Sequence, residues 1–378
     1  MAKLHYFNPD NDIALAAGVR NFTPPKAAVN LRTAGAMLPL WYGDNGDKIL
    51  TYGVNDRWLS EIEERFSPGV GLFDHRVSED LKAAPWGWSL ASKSVFEHEG
   101  FPPSQLPDDA LIRQWRDLSH RRTASVLRDE IAPLLDFDIA PAAAEIKSVG
   151  ELKSYLEAQP ASIIKSPWSS SGRGLTDTRH LFAAEVFRRC EGVINRQGSV
   201  MVEQAYDRIA DFALLFECRN GCCTFIGYSF FNTDNSGNYA GNVLARDKRL
   251  LEMIGRYYPA DRIEKVGIAL TDAIGRTIAP LYDGPLGIDM LVAGLADGSR
   301  LLDATVELNL RMTMGFVAHN LSQRYLAEGS EGSYSVIPAQ KNPVSDSLVV
   351  EDRKIVSGRI NLTPPEGLFS FVADVHTL

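Results

Sequence analysis

Apolar and polar positions change their period several times along this chain. His5-Tyr6-Phe7 reads as a strand and Asn8-Pro9-Asp10-Asn11-Asp12 as the polar turn that leaves it. Thr23-Pro24-Pro25 predicts a helix starting near Lys26, residues 48–52 a second strand and residues 57–66 a helix. Pro85-Trp86-Gly87-Trp88-Ser89 opens a further helix, and Pro102-Pro103 with Pro107-Asp108-Asp109 punctuates the passage to the next unit. Residues 111–135 are then mostly helical in pattern, and residues 149–158 again. Strands are predicted at 162–165 and 199–203. A hairpin is predicted over 211–218 and 222–231, turning at Asn220-Gly221. Residues 232–242 read as a long polar loop and 262–281 as an amphipathic helix. Residues 287–292 form an apolar run carrying one acid, Asp289. Asp297-Gly298 is a turn signal, and residues 300–310 read as the returning strand. From about Gly332 the pattern is strands and turns, and nothing repeats at a solenoid period.

A length of 378 residues predicts two or three compact units rather than one small core. A net charge of −9 argues against nucleic acid as the main partner. No apolar run approaches the ~20 residues of a membrane span. The N-terminus runs straight into a strand without the apolar core of a signal peptide, so a cytoplasmic location is expected. The four cysteines, Cys190, Cys218, Cys222 and Cys223, are too few for a disulfide framework and read as small residues of a sheet.

Candidate chemistry concentrates in two segments. In Glu307-Leu308-Asn309-Leu310-Arg311, strand alternation puts Glu307, Asn309 and Arg311 on one face. The first two are hard oxygen ligands of the kind Mg²⁺ takes, and the third is a fork for an anion. A solvated strand face is the competing reading, with Arg311 paired to Asp303. A two-residue turn at Asp297-Gly298 sets Asp289 opposite Val306; a longer loop or a bulge sets it opposite Glu307. The second segment is Lys165-Ser166-Pro167-Trp168-Ser169-Ser170-Ser171-Gly172-Arg173-Gly174. Its small residues allow close backbone approach to a phosphate, with Lys165 at the strand end. It lacks the Gly-Lys-Ser/Thr of a Walker A loop.

Taken in order, Lys165, the loop 169–174, Glu203, Asp211, Asp289 and Glu307-x-Asn309-x-Arg311 resemble the ATP-grasp superfamily over residues 111–323. The resemblance implies an α/β architecture in which two α+β subdomains clamp ATP, preceded by a small α/β domain. The implied boundaries are 1–108 for that first domain and 109–330 for the ATP-grasp domain, with a lid over about 140–205. Residues 331–378 would then be a C-terminal segment packing back on the core. It further implies that Lys165 and the backbone of Ser170, Ser171, Gly172, Arg173 and Gly174 hold phosphates. Glu203, Gln204 and Tyr206 would lie near adenine and Asp211 at the ribose. Asp289, Glu307 and Asn309 would hold two Mg²⁺ ions, or Mn²⁺. The early basic residue of the superfamily falls on Arg121 or Arg122, of which Arg122 is the choice here. Lys165 and Arg311 are the candidate catalytic residues, Arg311 gripping the substrate carboxylate or acyl phosphate.

The implied activity is ADP-forming ligation of a small-molecule carboxylate to an amine or thiol, without nucleic acid or membrane. A kinase-like phosphotransferase and a non-catalytic nucleotide-binding protein are the alternatives. The sequence sets no oligomeric state. Asn8, Asp10 and Asp12, at a strand-to-helix turn, are read either as a turn cluster or, with Arg311, as substrate contacts. His319, Trp86 and Trp88 read as packing residues.

Overall fold

The computed structural model of the chain describes residues 1–76, 80–169, 174–233, 239–341 and 347–378. Strands β1 (Ala2–Tyr6), β2 (Lys48–Ile49), β3 (Gly71–Leu72) and β4 (Leu81–Pro85) form a parallel sheet in the order β3-β2-β1-β4. Helices α1 (Asn11–Ala17), α2 (Lys26–Gly35), α3 (Asp56–Phe66) and α4 (Leu90–His98) connect or flank these strands. The α3 stripe Trp58, Ile62 and Phe66 recurs every four residues and is buried, and the Asn55 side chain accepts from Trp58 N at its start. Ser89 and Ser92 cap α4 reciprocally. Strand order reverses at β1, so the loops after β1 and β4 leave side by side, which is where α/β sheets place ligands. Asn8 stitches those loops together, donating to Gly87 O at 2.9 Å and accepting from Gly87 N at 3.3 Å.

Helices α5 (Asp109–Leu118) and α6 (Arg122–Ile131) lead into a small antiparallel sheet. It comprises β5 (Ala144–Ile146), β6 (Ser162–Lys165), β7 (Leu175–Asp177) and β8 (Val200–Gln204), in the order β5-β8-β6-β7. Helices α7 (Val149–Ala158) and α8 (Ala183–Gln197) cover it, sharing a core of Ile146, Leu152, Ile164, Val186 and Val202. The helical stretch expected over 111–135 is thus broken at Ser119–Arg121. There the Ser119 hydroxyl bonds back to Trp115 O at 2.7 Å and His120 Nδ1 accepts from Arg122 N at 3.0 Å.

The large sheet begins with β9 (Asp207–Arg219), β10 (Cys222–Thr233), β11 (Tyr239–Leu244), β12 (Gly284–Gly294) and β13 (Arg300–Asn309). It continues with β14 (Ser330–Pro338), β15 (Val349–Glu351), β16 (Lys354–Asn361) and β17 (Phe369–Thr377), in the order β13-β12-β9-β10-β11-β14-β17-β16-β15. Helices α6 and α10 (Ala260–Thr277) pack on the β9, β10, β12 and β13 part with α9 (Asp247–Gly255). α11 (Met314–Tyr325) and the first domain share a second core with the C-terminal strands, including Phe7, Trp41, Tyr334 and Phe371. The C-terminal segment therefore extends this sheet, β14 pairing with β11 and β17. The polar loop expected over 232–242 is corrected at both ends: 232–233 belong to β10 and 239–242 to β11, and 234–238 lie outside the described residues. Strand pairing satisfies the backbone there, and buried Asn242 donates to Ser229 Oγ at 2.7 Å. Among the described residues no helix is long and apolar enough to cross a membrane.

Candidate active site

The β12–β13 hairpin settles which residue faces Asp289. Its turn is longer than two residues: Leu295 N donates to Ser299 O at 3.0 Å and Gly298 N to Leu295 O at 3.0 Å. Gly298, at φ +82°, takes the left-handed position that favours glycine. Leu291 then pairs with Asp303, yet Asp289 pairs with Glu307, so two steps along β12 are matched by four along β13. This bulge brings Asp289 opposite Glu307, and Gly287 opposite Asn309. Asn309 Nδ2 donates to Asp289 Oδ2 at 3.1 Å. Burial and the facing Glu307 carboxylate push the Asp289 carboxyl well above the usual carboxylate range. Among the described residues no cluster of three or more His, Cys, Asp or Glu side chains is placed to hold a metal ion. The oxygen set here is two carboxylates completed by an amide.

Cations surround this set. Arg121, buried at the elbow between α5 and α6, reaches Glu307 Oε1 at 2.8 Å, Ser166 O at 3.0 Å and Ser169 Oγ at 3.2 Å. Arg122 stands apart from this set. Its side chain is 44% exposed, and its guanidinium stands 3.6 Å from Glu145 of β5. Lys165, at the end of β6, pairs with Glu203 at 2.5 Å and donates to Val306 O, within the β13 bulge, at 3.4 Å.

Arg311 stands beside Glu307 and Asn309, but its fork is filled. Nε contacts Asp12 Oδ1 and Oδ2 at 3.0 and 3.1 Å, and NH2 contacts Asp12 Oδ2 at 2.7 Å and Asn309 Oδ1 at 2.8 Å. NH1 donates to Met312 O at 3.1 Å. Of five guanidinium hydrogens, one remains for an incoming anion. The partner is Asp12, not Asp303. Asp303 lies instead with Glu203 and Lys165, where burial and then the Glu203 charge push its carboxyl up to about 6 while Lys165 opposes them. A cleft next to these groups is lined by Asp12, Ser119, Trp168, Ser169, Glu307 and Asn309.

The loop after Lys165 is closed at its base, Ser166 N donating to Gly174 O at 3.1 Å. Trp168 bolts its first half to α5. Its ring lies 3.7 Å under the Arg116 guanidinium, and Nε1 donates to Arg116 O at 2.9 Å. Ser170, Ser171, Gly172 and Arg173 lie outside the described residues. On β8, Glu203 pairs with Ile163; beyond it Tyr206 donates to Gln204 Oε1 at 3.3 Å. Buried Asp211 pairs with Arg208 and lies opposite Leu291 of β12. Asp10 bonds Arg32 rather than Arg311, at 2.6 Å, and Asn8 and Asn11 are buried in the same turn.

Sequence reasoning named Arg121 only as the alternative to Arg122, and it missed the placement of Asp303 and the Asp12–Arg311 pair. A signal for Arg121 exists: Ser119-His120 can end one helix, which leaves Arg121 at the bend. No comparable signal marks the other two.

No family model matches the chain, and no curated protein matches it. Solved structures do. Biotin carboxylase from Campylobacter jejuni, in a β,γ-ATP complex, is 11% identical, with 99% of this chain and 87% of that chain covered and a TM-score of 0.53. The biotin carboxylase domain of 2-oxoglutarate carboxylase from Hydrogenobacter thermophilus is 12% identical, with 84% and 79% covered and a TM-score of 0.49. L-amino acid ligase from Bacillus licheniformis is 11% identical, with 82% and 84% covered and a TM-score of 0.45. The chain has the ATP-grasp fold, with an α/β domain at its N-terminus.

Proposed function

We propose that the chain is an ATP-dependent, ADP-forming ligase that activates a substrate carboxylate as an acyl phosphate and joins it to an amine or, less favoured, a thiol. The observation that carries this reading is the convergence of Asp289, Glu307 and Asn309 on one face, with Arg121 on Glu307, Arg311 on Asn309 and Lys165 reaching the adjacent Val306 O. The fold supports the reaction class, and the substrates follow only from experiment.

The donor set fits Mg²⁺: all its ligand atoms are hard oxygens, and Asp289, raised first by burial and then by the facing Glu307 charge, is a carboxylate whose ionised form a bound cation would favour. Asp289, Glu307 and Asn309 would hold Mg²⁺, as two ions that Mn²⁺ can replace. When bound, the metal would neutralise charge on the β- and γ-phosphates. Arg121 holds Glu307 and Lys165 holds Glu203. A triphosphate would draw both cations onto its own oxygens. Glu203, with the Gln204 backbone, would then meet the base and Asp211 the ribose, while the backbone of residues 170–174 would close over the phosphates. Arg311 would orient the carboxylate with its remaining N–H, a positioning role.

The test is phosphate release from ATP and Mg²⁺ with pooled carboxylic acids, with and without pooled amines. A ligase releases phosphate only when both partners are present. A stable phosphorylated product without free phosphate would make the chain a kinase. Absence of ATP binding would sink both.

A further inference from the structure

The proposed chemistry uses none of the four cysteines, yet two of them face each other across a hairpin. β9 and β10 are joined by Asn220-Gly221, both at positive φ, +51° and +75°, as a tight two-residue turn requires. Arg219 pairs with Cys222 to close the turn, and Cys218 pairs with Cys223 one step outward. Hydrogen-bonded and non-hydrogen-bonded pairs alternate along an antiparallel ladder. The closing pair of such a turn is hydrogen-bonded, so Cys218 and Cys223 hold the non-hydrogen-bonded place. Pairs of that kind have Cα atoms about 4.5 Å apart and the closest side chains, within the roughly 4.4–6.8 Å that a disulfide spans.

Strand alternation separates this pair from Cys222, which is exposed on the other face. Cys218 is 1% exposed. Cys223 is half-buried beneath α10, where a Cβ at Gly275 would stand 3.9 Å from Cys223 Cβ. On its other side Cys218 pairs with Gly284 of β12, which has no side chain to interpose. Cys190 belongs to the separate core of the small sheet. The paired thiols shift each other in opposite directions. Contact with Cys223 and burial raise Cys218, while contact with Cys218 lowers Cys223 against the effect of burial. Cys223 is thus both the more open thiol and the one that ionises first, which is what attack on an external sulfur needs.

We propose that Cys218 and Cys223 form a modification site, a dithiol that a small-molecule disulfide oxidises to a cross-strand disulfide in the folded chain. Cys223 Sγ gives up its proton and attacks one sulfur of the small disulfide, expelling a thiolate that takes up the proton. Cys218 Sγ then attacks Cys223 Sγ in the mixed disulfide, and its proton goes to the second thiolate expelled. Two protein thiols are oxidised, and one small disulfide is reduced to two thiols. Cys222 faces away from Cys218 and stops at the mixed disulfide. Neither paired thiol enters the proposed ligase chemistry, so the two readings are tested apart.

The full chain is incubated folded with oxidised glutathione at neutral pH, its remaining thiols are alkylated, and it is unfolded and digested with trypsin. Trypsin cuts after Arg219, between the two cysteines, so a Cys218–Cys223 bond leaves peptides 209–219 and 220–246 joined until a reductant parts them. Mass spectrometry should find the joined peptides, with the bond on Cys223. The join should persist in Cys222→Ser and be lost in Cys223→Ser. A chain unfolded in urea before oxidation should divide the bond between Cys222 and Cys223, because the two loops differ by one residue. Separate peptides carrying only glutathione overturn the proposal on the wild-type chain alone, whether or not the variants fold. A bond that falls on Cys222 in the folded chain overturns it too, as does the same division between Cys222 and Cys223 in folded and unfolded chains, since the strand register would then select nothing.

Discussion

Replacing Asp12 with Asn tests whether the Arg311 fork is held as the structure shows. Three contacts join the pair, at 2.7, 3.0 and 3.1 Å, and each side chain is 15% exposed. Asn keeps one acceptor oxygen but turns an NH₂ group toward guanidinium hydrogens, so donor faces donor. Removing one member of a buried pair costs about 3–5 kcal/mol, and the surviving bond to a neutral oxygen returns about 1. The expected loss is therefore about 2–4 kcal/mol, read as a lower urea midpoint at unchanged slope. Arg311→Gln should cost a similar amount. The double variant should cost less than the sum of the two by about 2 kcal/mol, because each single change already removes the shared contacts. A single-variant cost below about 0.5 kcal/mol, or additive costs, would refute the pairing and return Arg311 to the role of an open anion clamp.

Three further outcomes are expected. Lys165→Met should weaken ATP binding by about 1–3 kcal/mol in calorimetry and also lower the melting temperature without ATP, because Glu203 loses its 2.5 Å partner; unchanged affinity removes Lys165 from the phosphate site. Asp289→Asn should abolish the gain in ADP affinity that Mg²⁺ confers; a variant that keeps the wild-type Mg²⁺ dependence rules out the proposed metal ligands. Asp303 binds its proton more tightly folded than unfolded, so its contribution is full below about pH 4 and is lost as pH rises through about 6. Between pH 4 and 7.5, Asp303→Asn should accordingly gain about 2–3 kcal/mol of unfolding free energy relative to wild type, and parallel pH profiles would refute that assignment.

What could be read along the chain follows the range over which each feature is determined. Glu307, Asn309 and Arg311 share a face because strand alternation is local, and the glycine-favouring turn at Asp297-Gly298 is local too. Asp289 meeting Glu307 needed more. The longer turn moves the register one way and the β13 bulge moves it back past that point, and neither displacement has a residue signature. Arg121 and Arg122 differ by one residue, about 100° around a helix, so a bend of a few residues decides which reaches Glu307. Asp12 and Arg311 come from opposite ends of the chain. Their contact exists because the β1 turn and the end of β13 are brought together, with Met312 N donating to Trp86 O at 2.9 Å beside them. The same closure fills the Arg311 fork. Under the proposed ligase reading, a carboxylate there would meet one open N–H and a neighbouring acid, so its orientation would come as much from the β1 turn as from Arg311. If the chain is the proposed ligase, residues 8–12 belong to its substrate site, and substitutions there should change substrate KM while leaving ATP affinity in place.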